Sequence, residues 1–430
     1  MNTRGKPAST HTTLLFSLYI LTVLTESYGD IPPARWCTIY NAEQKKCEEM
    51  KKAFNEQSLK PEIECVQKHQ SLECMEAIMD GKADLATFDV GDVYTAGTVY
   101  GLVPIMAEQY PDGLESYVVA FAKASDINVT MATLEGKRSC HGGIKMAAGW
   151  VVPMSTLLQR QLLERQGCKG PEQVRRQYYN FTDTMSAGDF FGESCVPGSS
   201  WEAYNGEGVN PYKLCDWCVG NSQDLNNYAN DLCARNQGED YYGNIGSFRC
   251  LMEGGDVSFT RHQVVIELKK HSRSWAEGIQ EDDYVILCED GSRKPIYDYK
   301  LDGCHLGKIP SNVVMASSNN TQENIDAYKN LLLEGQHIYG SDEHDFQMFQ
   351  SGEYYTDLLF SDVTERLEDV GKRNTYSSWL GEDYLHLQDY LTGCPPPPSE
   401  TLQLSVGHTF STNTLLSTCL VAFVCSFLNL

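Results

Sequence analysis

The chain has 430 residues, 41% of them apolar and 21% charged, a balance that supports a packed core and excludes a disordered or fibrous protein. That length divides into at least two compact units. A formal net charge of −24 argues against nucleic acid or an anionic membrane surface as partner; it fits either loose association with cations or mineral, or the ordinary acidity of a secreted protein.

Arg4 and Lys6 precede an apolar stretch over 14–24 and small residues at Ser27 and Gly29, the layout of a secretory signal over 1–29. After it, 35–40 reads as a short strand, 42–54 as a helix carrying Cys47 and Met50, 72–79 as a helix stopped at Asp80-Gly81, and 83–89 as a strand. Alternating strand and helix predict an α/β unit with a largely parallel sheet. Asp89 then stands at a strand's carboxyl end, where open α/β sheets place their ligands. The apolar run 117–122 reads as a further strand.

The stretch from Gly136 to Met154 has the order strand exit, glycine loop, helix start. Gly142 and Gly143 let backbone approach a ligand, and the free N–H groups of the following helix, near Ala148 and Gly149, suit a small anion. A glycine turn before a buried helix is the alternative. An anion site also recruits a fixed cation, and here the first turn offers Met146, with only Lys145 beside it. A helix is expected over 150–163. From 170 to 246 the sequence is loop-rich, with Cys195, Cys215, Cys218 and Cys233 set among Gly, Asn and Ser. Cys215-Asp-Trp-Cys218 could be a redox or zinc pair, but the absence of a second such pair favours structural disulfides. Segments 248–251, 256–259 and 284–288 have strand character. An amphipathic helix over 324–339 places Ile325, Tyr328 and Leu332 on one face, and a last helix is expected near 381–391, before the Pro395–Pro398 linker.

The tail 415–430 is apolar with no basic residue after it, and small residues with a polar spacer precede it. This predicts a GPI signal, with attachment at Ser405, a linker over 396–405 and a propeptide over 406–430; a retained protein anchor is the alternative. Of sixteen cysteines, Cys419 and Cys425 fall in that tail and fourteen remain for disulfides. Sequons at Asn128, Asn180 and Asn319 predict glycosylation. No serine stands in a nucleophile elbow and no HExxH helix occurs, so no enzyme is expected.

Several motifs together resemble the transferrin family: Arg35-Trp36-Cys37, Ala83-Asp-x-x-Thr-x-Asp89-x-Gly91-x-Val-Tyr94, Ser139-Cys140-His141-Gly142-Gly143 with Ala148-Gly149-Trp150, Tyr242-Gly-x-x-Gly-x-Phe248-x-Cys250, Cys304-His-Leu and Asp357-Leu-Leu-Phe360. The resemblance covers about 34–395 and implies one lobe, of the periplasmic-binding-protein type: two α/β subdomains around a cleft, disulfide-rich. It places one subdomain at 34–116 plus 270–355, the other at 117–268, and C-terminal helices at 356–395. It also implies the pairs Cys37–Cys74, Cys47–Cys65, Cys140–Cys250, Cys168–Cys394, Cys195–Cys218 and Cys288–Cys304, leaving Cys215 with Cys233.

In that family an aspartate, two tyrosines and a histidine hold iron(III), and a threonine and an arginine hold a carbonate beside it. Carried over, the aspartate is Asp89, but the tyrosines fall at Ser116 and Asn244, the histidine at Asn312, the threonine at Gly142 and the arginine at Met146. Ferric iron prefers anionic oxygen, so these replacements imply a degenerate site with no cofactor. Tyr117 should face away from its neighbour Ser116, and Tyr242 matches a position outside the metal's first shell. The resulting expectation is a monomeric extracellular or GPI-anchored glycoprotein on the outer face of the plasma membrane, acting by binding an unknown protein or matrix partner. Its tail resembles that of GPI-anchored members of the family, and its lobe count that of single-lobed matrix members. A weak carrier of Fe3+ with carbonate is the alternative.

Overall fold

A computed structural model describes Met1 and residues 32–166, 182–205, 211–222, 232–270, 273–296, 303–341 and 343–392. The signal segment, Asn180, Cys168, Cys394, the proline linker, Ser405 and the apolar tail lie outside the described residues. Among the described residues, no helix is long and apolar enough to cross a membrane.

Among the described residues, two sheets organise the lobe. The first has the order β12-β4-β11-β3-β1-β2, built from β1 (Ala34–Thr38), β2 (Ile63–Gln67), β3 (Leu85–Phe88), β4 (Leu102–Gln109), β11 (Val313–Ser317) and β12 (Arg366–Asp369). The second has the order β6-β7-β5-β8-β9, with β10 also on β5; its strands are β5 (Glu115–Lys123), β6 (Ser139–His141), β7 (Val257–Arg261), β8 (Tyr284–Leu287), β9 (Arg293–Pro295) and β10 (Gly307–Pro310). The chain passes between sheets twice, from β4 to β5 and from β10 back to β11. Ser311 N–H donates to Leu114 O and Glu108 N–H to Asn312 O where those crossings lie side by side.

The double crossing corrects two expectations. The first sheet is mixed rather than largely parallel, because β11 runs antiparallel to both β3 and β4. The return to the first subdomain comes after β10 rather than near 270, since β8 and β10 pair antiparallel with β5. A third correction concerns 248–251, which is helical within Gly243–Met252: Ile245, Phe248 and Leu251 recur at helical spacing and are fully buried. A four-residue apolar run cannot declare its period.

The helices that frame the cleft are α1 (Asn41–Glu56), α2 (Ser71–Met79), α3 (Val90–Thr98), α4 (Val152–Gln159, continuing a π-helical turn Ala147–Val151), α5 (Thr182–Phe190), α6 (Gly243–Met252), α7 (Val264–Lys270), α8 (Gln322–Tyr339) and α9 (Tyr376–Thr392). Thr321 caps α8 by accepting Asn324 N–H, and Ala327, Tyr328, Leu331, Leu332 and Tyr339 form its buried face. Gly335 lets the Phe54 ring lie on that face, where a Cβ would stand 2.1 Å from Phe54 Cζ. Helix α9 departs from helical geometry at Gly381, with φ at 78°. It lies along both subdomains: Trp379 Nε1–H donates to Ser311 O in the crossing, Tyr376 meets Tyr94 of α3 edge-on, and Ser155 of α4 donates to Leu387 O. Arg165 donates to the terminal carbonyls of Tyr390 and Leu391, satisfying groups that a helix end leaves open.

Six disulfides are present among the described residues: Cys37–Cys74, Cys47–Cys65, Cys140–Cys250, Cys195–Cys218, Cys215–Cys233 and Cys288–Cys304. Cys215 and Cys218 are therefore not a redox or zinc pair with each other.

Candidate functional site

The cleft between the sheets encloses a cavity of about 90 Å3, and the end of β3, Met146 just before the turn that leads into α4, the start of α6 and the β10–β11 crossing all reach it. Asp89, Met146, Asn244 and Asn312 line it together, although 223 residues separate the first of them from the last.

Asp89 caps α3 through its side chain. Its Oδ1 accepts Gly91 N–H at 2.9 Å and, across the cleft, Ala147 N–H at 2.9 Å. Burial raises its pKa, Asp92 adds to the rise, and the two N–H donors act against it. The two sides meet closely here: a Cβ on Gly91 would stand 1.9 Å from Lys145 O.

On the opposite wall, Met146 precedes the helical turn and is 6% exposed, with its sulfur against Gly143. Lys145, at φ 64°, turns away to pair with Asp183, which also accepts Trp150 Nε1–H, so its charge serves the scaffold. Gly149 packs on Gly142, where a Cβ would lie 2.6 Å from Gly142 N, and a Cβ on Gly142 would come 3.0 Å from Gly243 O. His141 holds this loop by donating from Nδ1 to Gly149 O while Nε2 accepts from Ser139. Burial lowers its pKa to about 4, so it stays neutral. With Cys140 in a disulfide, the neighbouring Cys and His form no nucleophilic pair.

Ser116 is 1% exposed on β5, its hydroxyl has no hydrogen-bond partner among the described residues, and it does not line the cavity. Tyr117 packs against His262 and His305, with ring centroids 5.4 and 4.8 Å away, and is absent from the cavity wall. Tyr242 does line the cavity, beside Asn244, and burial raises its pKa. Position in the sequence could not place its ring, because it is the residue that caps α6 and the cap's direction depends on tertiary packing. Glu43 and Glu108 complete an acidic wall, and burial pushes both carboxyls up to about 7.

The transferrin family model matches residues 34–391. The chain belongs to the transferrin family. It is 38% identical over 406 residues to Transferrin 2 of Drosophila melanogaster, covering 91% of this chain and 46% of that one. Against melanotransferrin of Homo sapiens the identity is 35% over 387 residues, covering 88% and 48%. Against otolith matrix protein 1 of Danio rerio it is 33% over 381 residues, covering 87% and 95%. The chain thus spans about half the length of the first two and nearly all of the third. Members of this family are generally non-enzymatic binding proteins.

The family's ferric-carbonate centre can be tested against these donors. Asn244 and Asn312 offer neutral amides, Ser116 is a hydroxyl outside the cavity, and Met146 has neither charge nor donor for an anion. Asp89 already holds two backbone N–H groups through one oxygen. Iron(III) prefers anionic oxygen donors and a carbonate needs fixed donors beside it; of the positions that the resemblance assigns to that centre, only Asp89 offers an anionic oxygen, and the other carboxylates of the cavity lie at positions that the resemblance does not assign to it.

Proposed function

We propose that this lobe is an extracellular, transferrin-like glycoprotein that acts by binding a protein or matrix partner, with a degenerate iron site. The observation that carries the reading is what stands at the positions where the family resemblance puts metal and anion ligands: Asp89 is kept, but amides (Asn244, Asn312), a thioether (Met146) and an off-cavity hydroxyl (Ser116) replace phenolates, imidazole and guanidinium, although Glu43, Asp92, Glu108, Asp357 and Tyr242 also line the cavity. Charge-assisted bonds contribute about 1.5–3 kcal/mol each, so losing several together lowers iron affinity by orders of magnitude. The match to otolith matrix protein 1, which covers 95% of that chain, supports a matrix or adhesion role. Asn128 and Asn319 are exposed, as glycosylation requires. Attachment by GPI near Ser405 completes the plan, and phosphatidylinositol-specific phospholipase C should release the protein from cells; retention with the tail peptide intact would favour a protein anchor.

The deciding experiment is titration of the purified chain with iron(III) nitrilotriacetate in bicarbonate. The reading expects no stoichiometric uptake and no visible charge-transfer band. The retained Asp89 favours the second reading, a weak iron carrier, which saturable uptake of one iron per chain would establish.

A further inference from the structure

In a lobe that closes on a metal, the metal supplies the bond between its halves. Here the chain supplies its own. Arg235, from the excursion attached to the second sheet, is 0% exposed and reaches across the cleft to Asp92 on α3. Both terminal nitrogens donate to that carboxylate at 3.0 Å, the bidentate geometry that suits a guanidinium. Nη1 also donates to Ser71 at the start of α2, and Nε donates to Ile144 O on Arg235's own side. The guanidinium lies 4.8 Å from the Tyr204 ring centroid, and the Tyr204 hydroxyl is within 3.0 Å of Ser71 Oγ across the same boundary.

The surrounding backbone is shaped to admit this side chain. Gly198, at φ 83°, leaves room where a Cβ would stand 2.8 Å from Arg235 Cβ. The next two residues cross as well: Asn236 donates to His69 O, and Gln237 donates to Thr356 O. Asn221 donates to Tyr40 Oη. Asp89 closes the far end through Ala147 N–H.

We propose that Arg235 and Asp92 form a latch that holds the lobe closed without metal. The cleft then does not open and shut with an iron cycle, and partners meet a constitutively closed outer surface. Removing one member of such a buried pair leaves the other's charge without compensation in the boundary, which drives the halves apart to rehydrate it.

Small-angle X-ray scattering of the purified full chain tests this. After exhaustive chelation, and again with excess iron(III) nitrilotriacetate and bicarbonate, the wild-type curves should superimpose. Arg235→Met should increase the radius of gyration and raise protease cleavage within 232–243 at least tenfold, with near-ultraviolet circular dichroism showing each subdomain still packed. If that variant fails to fold, Asp92→Asn, which keeps the side-chain volume, is read by the same two measurements. A wild-type lobe that expands on chelation and contracts with iron would overturn the latch. So would a folded Arg235→Met whose curve and cleavage match wild type. The outcome is independent of iron uptake: an open lobe that binds no iron refutes the latch alone, and a closed chelated lobe that takes up iron refutes the proposed function alone.

Discussion

Replacing Asp89 separates a structural cap from a metal ligand. Asp89→Ala removes the N-cap of α3, which costs about 1 kcal/mol, and the charge-assisted bond to Ala147 N–H, worth about 1.5–3 kcal/mol. The expected loss of stability is therefore about 2.5–4 kcal/mol without any metal present. Asp89→Asn keeps an acceptor oxygen in the same place and removes a buried charge, so it should cost clearly less. Because the folded-state pKa of Asp89 is raised, ionisation opposes folding, and the disadvantage of Asn should shrink further as pH rises through that pKa. Urea unfolding of the chelated protein, followed by tryptophan fluorescence, measures both variants. The reasoning fails if Asp89→Ala shifts the midpoint negligibly, if Asn costs as much as Ala, or if iron(III) stabilises the wild type but not Asp89→Ala.

Gly149→Ala should cost about 1–3 kcal/mol by overpacking, because the new methyl meets Gly142 backbone at 2.6 Å; a thermal melt matching wild type would show that the loop yields freely. Glu43 and Glu108 have folded-state pKa values raised to about 7, so the stability they contribute is fully present below about 4.5 and is lost as pH rises through 7. Glu108→Gln and Glu43→Gln should each flatten that part of the decline in urea midpoints between pH 5 and 8, and unchanged slopes would contradict the assignment. Installing Ser116→Tyr, Asn244→Tyr, Asn312→His and Met146→Arg together should give some visible colour with iron. Adding Gly142→Thr should reduce the yield of folded protein, since its Cβ would press on Gly243 O, and a five-fold variant that folds as well as the four-fold one would argue against that contact.

Much of the fold is legible in the sequence because its motifs sit at element boundaries. Asp89 follows a strand and caps a helix, Gly142 and Gly143 precede a helix start, and Tyr328 and Leu332 mark one buried face. Chain positions do not reveal which strand lies beside which. The antiparallel insertion of β11 between β3 and β4 made the first sheet mixed, and the pairing of β8 and β10 with β5 moved the subdomain boundary. Asp89, Met146, Asn244 and Asn312 do share one cavity, but Ser116 lies outside it and Tyr242 enters it, because the placement of β5 and the direction of a helix cap are set by packing. Arg235 gave no signal at all. Its partner is 143 residues away, and an arginine in a Gly/Asn-rich excursion reads as solvated until the fold buries it.

The most direct measurement of the central claim is elemental analysis of the wild-type chain after incubation with iron(III) nitrilotriacetate and bicarbonate, followed by exhaustive dialysis against a chelator. The account predicts no stoichiometric iron and a colourless protein; one tightly held iron per chain, with its charge-transfer band, would contradict it.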